Sequence, residues 1–357
     1  MQRAYGVVNK NKIAEDLLSW YDINARKLPW RIPPLESKAG VLPNPYYIWM
    51  SEVMLQQTTV AAVKEYFLKF ITLWPTVFDM ANAKDEDVMA AWAGLGYYAR
   101  ARNLLKCARV IKNQYDGKFP SNEKDLLSLP GIGPYTAAAI MSIAFNKKAI
   151  VLDGNIERVM SRIYAVQEPL PASKKALWLL ASDLTPENRC GDYAQAVMDL
   201  GATICTPRSP KCTHCPWISN CLGLSQGIAG ELPKKIPKLK KPIRVGTVYV
   251  AINDDHSILL ERRSKKGLLG GMLGWPGSEW AIMPTDHLEP IEADWRSVNE
   301  PVRHTFTHFH LDLTIKIASN VKSVPRVGKF ISKDEFNPND LPTVMRKVWD
   351  KASEFLE

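Results

Sequence analysis

No stretch of this 357-residue chain is apolar for long enough to cross a bilayer as a helix, so nothing in it offers a membrane span. Residues 1–21 lack the apolar core of a secretion signal, and their acidic residues and few arginines argue against a transit peptide. A cytoplasmic protein is therefore expected. Acidic residues are in deficit, 37 against 46 Lys and Arg, and the resulting formal charge of +9 favours a polyanionic partner. Cysteine is sparse: of six, four crowd into residues 205–221, which excludes a disulfide framework in a reducing compartment. The isolated Cys107 and Cys190 read as buried apolar thiols. There is no internal repeat and no long low-complexity tract, so a solenoid is excluded. What remains is an ordinary globular composition, 46% hydrophobic and 23% charged, long enough for about two domains.

The pattern changes once along the chain. From residue 13 to about 202, amphipathic stretches of helical period alternate with short loops, as at 60–74, 85–92, 99–115 and 174–184. The segment 31–45 carries four prolines and Gly40 and is expected to be a loop without regular structure. Residues 231–243 form a basic strip spaced by prolines, expected to be a stiff linker that can track a phosphate backbone. Beyond it the period becomes two, at 245–252, 257–261, 310–318 and 329–331, with a last helix near 341–355. The expected architecture is multidomain: an all-α unit over 1–230, the linker 231–243, and an α+β unit over 244–357.

Several constellations carry chemistry. Residues 129–135, LPGIGPY, have the form of a hairpin between two helices, in which Gly131 and Gly133 allow positive φ and free backbone N–H groups can face a phosphate. Glu52 stands among Trp49, Met50, Val53 and Leu55 at or near the start of a helix, with Ser51 a possible cap. Burial there would raise its pKa toward that of a general acid, and Gln56 would share its face. Asp153 precedes a helical stretch and reads as its N-cap. A neutral acid and a second carboxylate are the pair that glycosidic cleavage uses. Cys205, Cys212, Cys215 and Cys221 follow C-x6-C-x2-C-x5-C, a compact four-ligand array. Zinc, with His214 as a possible participant, and a four-iron cluster both suit it. Arg208 and Lys211 lie in its first loop. The turn GLGYYARAR at 94–102 places Leu95, Tyr97 and Tyr98 beside Arg100 and Arg102, a set suited to stacking on bases.

Together these residues resemble the MutY adenine DNA glycosylases, within the helix-hairpin-helix superfamily that includes endonuclease III. The resemblance runs from 28 to about 330 and rests on LPW at 28–30, SEVMLQQT at 51–58, WAGLGYYARARNL at 92–104, LPGIGPYTAAAI at 129–140, LDGN at 152–155, MDLGATICT at 198–206 and the cysteine array. It implies a bacterial-type, monomeric enzyme that removes adenine mispaired with 8-oxoguanine or guanine in duplex DNA, after flipping the nucleotide into a pocket. By this resemblance Glu52 protonates adenine and Asp153 stabilises the sugar cation, with Tyr135 and Asn155 assisting. Gln56, Gln57, Leu95 and Tyr97 fill or wedge the duplex, and the four cysteines hold a [4Fe-4S] cluster. Superfamily members that also cut the strand carry a lysine where this chain has Tyr135, so a monofunctional glycosylase is implied. The C-terminal unit resembles a Nudix-like module but lacks the glutamates of the hydrolase helix. Its expected task is recognition of 8-oxoguanine through Phe306, Thr307 and His308, where the family commonly has serine in the middle position.

Overall fold

The computed structural model describes residues 10–237, 240–264, 267–285 and 287–355. The chain divides into two compact units between Pro237 and Lys238. Of segment 1–21, residues 1–9 lie outside the described residues and the remainder belongs to the first helix, Lys10–Asn24. Among the described residues no helix is long and apolar enough to cross a membrane.

The first unit is helical, as its period of 3.6 predicts. Its helix starts are written locally: Asn44 accepts from Tyr46 N, Thr59 from Ala62 N, and Asn122 from Asp125 N, while Thr76 and Asp79 form a capping box. Segment 31–45 departs from the expected irregular loop. Pro34 stands in the first turn of a short helix, Pro34–Lys38, where its missing N–H costs nothing. The hairpin joins helix Glu123–Ser128 to helix Pro134–Ala139, which continues as a π turn over Ile140–Ala144. Only one hairpin glycine uses positive φ. Gly131 has φ +78, and a methyl there would come within 2.7 Å of Asn103 Cβ. Gly133 corrects the expectation: at φ −100 and ψ 178 it is extended, and among the described residues no heavy atom beyond its own chain neighbours lies within 4 Å of where its Cβ would stand.

The front of the basic strip belongs to this unit. Leu232 is buried, and Leu170 N donates to Lys234 O at 2.9 Å. Lys238 and Leu239 lie outside the described residues.

In the second unit a parallel pair, Ile243–Asn253 beside His310–Val321, forms the centre of a mixed sheet, in register from Ile243 with His310 to Ala251 with Ala318. Ile258–Arg262 pairs antiparallel with Leu273–Gly274 and Lys329–Ile331, while Val302–Thr305 and Arg296–Ser297 pair with His310–Val321. Alternation sorts the faces. Val248, Val250, Leu311, Leu313 and Ile315 pack toward helix Thr343–Ala352, whereas Ala251, Leu259 and Ala318 meet Ile291 on the other side. The sequence pattern did not reveal Leu273–Gly274, Arg296–Ser297 or Val302–Thr305, whereas Lys329–Ile331 stands where it was expected.

Candidate active site

Glu52 is not a first-turn residue. Asn44 and Pro45 start its helix, Pro45–Leu55, so Glu52 falls in the interior, only 6% exposed and surrounded by the buried Trp49, Met50, Val53 and Met54. Burial pushes its carboxyl up to about 7. The hydrogen bond from Tyr135 and the charge of Arg31 pull it down, and the carboxylate of Asp153 pushes it up. Tyr135 Oη donates to Glu52 Oε2 at 2.9 Å, and burial holds that phenol well above its ordinary pKa, so it remains a donor. Here the hairpin acts on the acid directly, because Tyr135 is the second residue of the helix that Gly133 opens.

Asp153 is the N-cap it reads as in sequence. Its Oδ1 accepts from Ile156 N at 2.7 Å and its Oδ2 from Asn155 Nδ2 at 3.1 Å. Arg158, one turn on, donates to Asn155 Oδ1 at 2.9 Å, to Gly201 O at 2.7 Å and to Cys205 O at 2.8 Å. Glu52, Tyr135, Asp153, Asn155, Gln56 and Gln57 all line one cavity of about 570 Å3, of the size small-molecule sites occupy. Gln56 caps the end of the Glu52 helix and donates to Thr136 Oγ1 at 3.4 Å, while Gln57 is exposed with φ 60.

Sequence reasoning gave no role to Arg31 and Asp199, and both shape this site. Asp199, fully buried, accepts from Arg26 N at 3.0 Å, Arg26 Nε at 2.5 Å and Arg31 Nη1 at 2.8 Å. Arg31 lines the cavity and faces Glu52 electrostatically. LPWR and MDLG are the segments concerned. Nothing in local spacing joins residues so far apart.

The turn at 94–102 separates into tip and support. Tyr97, at φ 50, is half exposed. Leu95, expected beside it in the duplex wedge, is instead buried, whereas the Tyr97 ring carries the Arg100 guanidinium over one face at 5.4 Å. Arg100 is corrected as well: at 8% exposure it is not at the surface. Its guanidinium donates to Val53 O and Met54 O at 3.0 and 2.7 Å, and to Thr58 Oγ1, Leu95 O and Gly96 O. It places a cation on the C-terminal carbonyls of the Glu52 helix.

All four clustered cysteines are free and line one small cavity of about 30 Å3. Arg162 Nη1 donates to Cys205 Sγ at 3.2 Å. Burial pushes Cys215 up to about 12 and raises Cys221, so a bound cation is what would displace those protons. Among the described residues no group of three or more His, Cys, Asp or Glu is already drawn together around an ion position. Cys107 and Cys190 are buried apart from them.

In the second unit Thr307 and His308 are exposed, and Phe306 is half-buried on a stack: its ring lies 5.7 Å from Trp280 and 5.0 Å from Phe309. Arg263 caps Trp280 and Arg244 caps Phe309, at 4.6 and 4.3 Å. Lys241 Nζ donates to Phe306 O at 2.8 Å, which ties the strip to this loop.

Residues 50–181 match the model of the HhH-GPD superfamily of base excision DNA repair proteins, and residues 247–351 match a NUDIX domain. The adenine DNA glycosylase of Buchnera aphidicola from Schizaphis graminum is 31% identical over 343 residues, 93% of this chain and 96% of the relative. The chain belongs to the adenine DNA glycosylase family. The human adenine DNA glycosylase is 34% identical over 399 residues, covering 93% of this chain and 72% of the relative. For the helical unit of this family member, a thermostable thymine-DNA glycosylase is similar with TM-score 0.53 and 33% identity, over 61% of this chain and 97% of that one. An endonuclease III solved in a non-covalent complex with DNA shares the fold, at TM-score 0.51 and 22% identity over 62% and 99% of the two chains. As a family member the chain is an enzyme, a hydrolase acting on N-glycosyl bonds, with a helix-hairpin-helix core followed by a Nudix-like unit.

Proposed function

We propose that this glycosylase hydrolyses the N-glycosidic bond of adenine standing opposite 8-oxoguanine or guanine in duplex DNA, acting as a monomer in the cytoplasm. The observation that carries the reading is the pairing, in one cavity, of a carboxyl held up to about 7 and a second carboxylate oriented as a helix cap. The flipped nucleotide enters this cavity. Glu52 gives its proton to adenine at N7, so that the base leaves with the bonding electron pair as neutral adenine. Tyr135 keeps the acid oriented, and Asp153, steadied by Asn155, stabilises the oxocarbenium-like sugar or forms a transient adduct with it. Because position 135 is a phenol and not an amine, no Schiff base forms there and the strand stays intact.

The rest of the surface fits duplex DNA. The N–H groups at Gly131 and Gly133 meet a phosphate, and the empty space over Gly133 allows that close approach. Tyr97 wedges the stack beside Gln56 and Gln57. Phe306, Thr307 and His308 read the 8-oxoguanine strand, and the Nudix-like unit carries out no nucleotide hydrolysis. Cys205, Cys212, Cys215 and Cys221 hold one [4Fe-4S] cluster, which when bound would keep Arg208 and Lys211 placed for phosphates. Purified protein is expected to be brown, with visible thiolate-to-iron absorbance and about four irons per chain. A colourless protein carrying a single zinc would reject the cluster.

The function is tested on labelled duplexes with adenine opposite 8-oxoguanine, guanine or thymine, with strand breaks scored before and after alkali. Breaks that need alkali are expected on the first two. Inactivity on all three, in protein with its metal intact, would overturn the reading.

A further inference from the structure

A second cavity of about 280 Å3 adjoins the Glu52 cavity, and the two share Ile143 and Gln195 in their walls. Three elements enclose it: the segment around Val41 and Leu42, the end of the π turn with Phe145 and Asn146, and the first turns of helix Cys190–Thr203. Gly191 makes this geometry possible. A Cβ there would stand 2.7 Å from Ser142 O and 3.0 Å from Ile143 Cα, so the helix crosses the π turn with no side chain between them. Ile143 and Gln195 are left as a thin buried partition, with Gln195 Nε2 turned back onto its own helix, donating to Gly191 O at 3.2 Å. Such π turns concentrate at functional sites. The partition is remote from the hairpin. Ile143 follows Tyr135 by eight residues, about 12 Å of helix rise.

Resting on the function proposed above, this placement has a use. A nucleotide that enters from the hairpin side stays tied to its strand by the sugar, and the strand then closes the entrance. When the N-glycosidic bond breaks, the base lies behind the sugar it has left. It cannot return through the entrance until the abasic strand backs out.

We propose that the second cavity receives the freed adenine and passes it to solvent beside Val41 and Leu42 while the DNA is still bound. The space is sufficient, since a cavity of about 150 Å3 accepts benzene. The lining is suited to a purine: Leu42, Ile143 and Phe145 offer apolar contact to its faces, and Asn146 and Gln195 offer donors and acceptors to its edge. Leu42 is 53% exposed, as an exit-side residue would be.

The test uses full-length holoenzyme on a duplex immobilised by one end, with radiolabelled adenine opposite 8-oxoguanine. Excision is scored by alkali-labile breaks, and label is followed in washes that leave protein on the DNA. Label is expected to leave wild-type complexes well before the protein does. In Leu42→Trp, which fills the exit side without touching the Glu52 cavity, excision should proceed at the wild-type rate while label release slows about tenfold, the scale of an overpacking penalty of ~1.4 kcal/mol. Co-release of label with protein in the wild type, or unchanged release in Leu42→Trp, overturns the exit route. Absence of alkali-labile breaks in the wild type instead overturns the adenine reading itself.

Discussion

Glu52→Gln is expected to slow single-turnover adenine removal by about 10^2 to 10^4, the range general acid catalysis contributes, while leaving the protein folded and bound to its duplex. The amide is close in shape and can still accept the hydrogen bond from Tyr135 Oη, so packing is retained. It has no proton to give to adenine. The pH profile separates loss of the acid from a distorted site. Glu52 is an acid whose pKa is raised from 4.5 to about 7, so the folded protein favours the neutral form. Wild-type activity should therefore be full below about 7 and fall about tenfold per pH unit above it. By the same linkage the contribution of Glu52 to stability is fully present below about 4.5 and is lost as pH rises from there through about 7. In Glu52→Gln this limb should vanish from both rate and stability. A variant that keeps the wild-type rate, or that keeps the limb near 7, would remove Glu52 from the mechanism.

The second large effect is thermodynamic. Asp199→Asn is expected to destabilise the helical unit by about 3 to 5 kcal/mol, because it removes one side of a buried ion pair and leaves the other charged. Asp199 has no exposed surface and is the carboxylate to which both Arg26 and Arg31 donate. An asparagine can satisfy at most part of that set, and it leaves the nearly buried Arg31 beside the cavity without a counter-charge. For a unit of this size the melting temperature should drop by about 10 °C or more in a calorimetric scan. A drop of under ~2 °C would mean that the pair contributes little to holding segment 26–31 in place. The effect reaches the chemistry through Arg31, whose charge already lowers the pKa of Glu52 and would act on it without the competing carboxylate.

How much of this was legible beforehand depends on the distance over which each signal acts. The hairpin, the Asp153 cap and the period-two strands are encoded within a few residues, and they appear where the sequence puts them. The position of Glu52 in its helix was also locally encoded, in Asn44-Pro45, but Ser51 offers a competing cap and lies nearer. Tertiary context decided against it, since Ser51 is buried and its hydroxyl donates to Ile48 O. Arg100 looked like a surface cation because arginine beside tyrosine in a turn usually is one. Only the fold supplies the five oxygen acceptors that make its burial tolerable. Arg26, Arg31 and Asp199 meet across more than 160 residues of chain, and no spacing rule reaches that far. Leu95 carried the opposite trap: an apolar residue in an exposed-looking turn that closes the core instead of touching solvent.

The Arg100 clamp has a consequence for local opening. One side chain ties the final carbonyls of the Pro45–Leu55 helix to the backbone on which Tyr97 rides, with Thr58 as a third anchor. Those segments cannot fray independently, because releasing either one strands the same guanidinium in a dry interior. They are expected to open together in native-state hydrogen exchange, so that the half-exposed Tyr97 takes its order from the helix that carries Glu52.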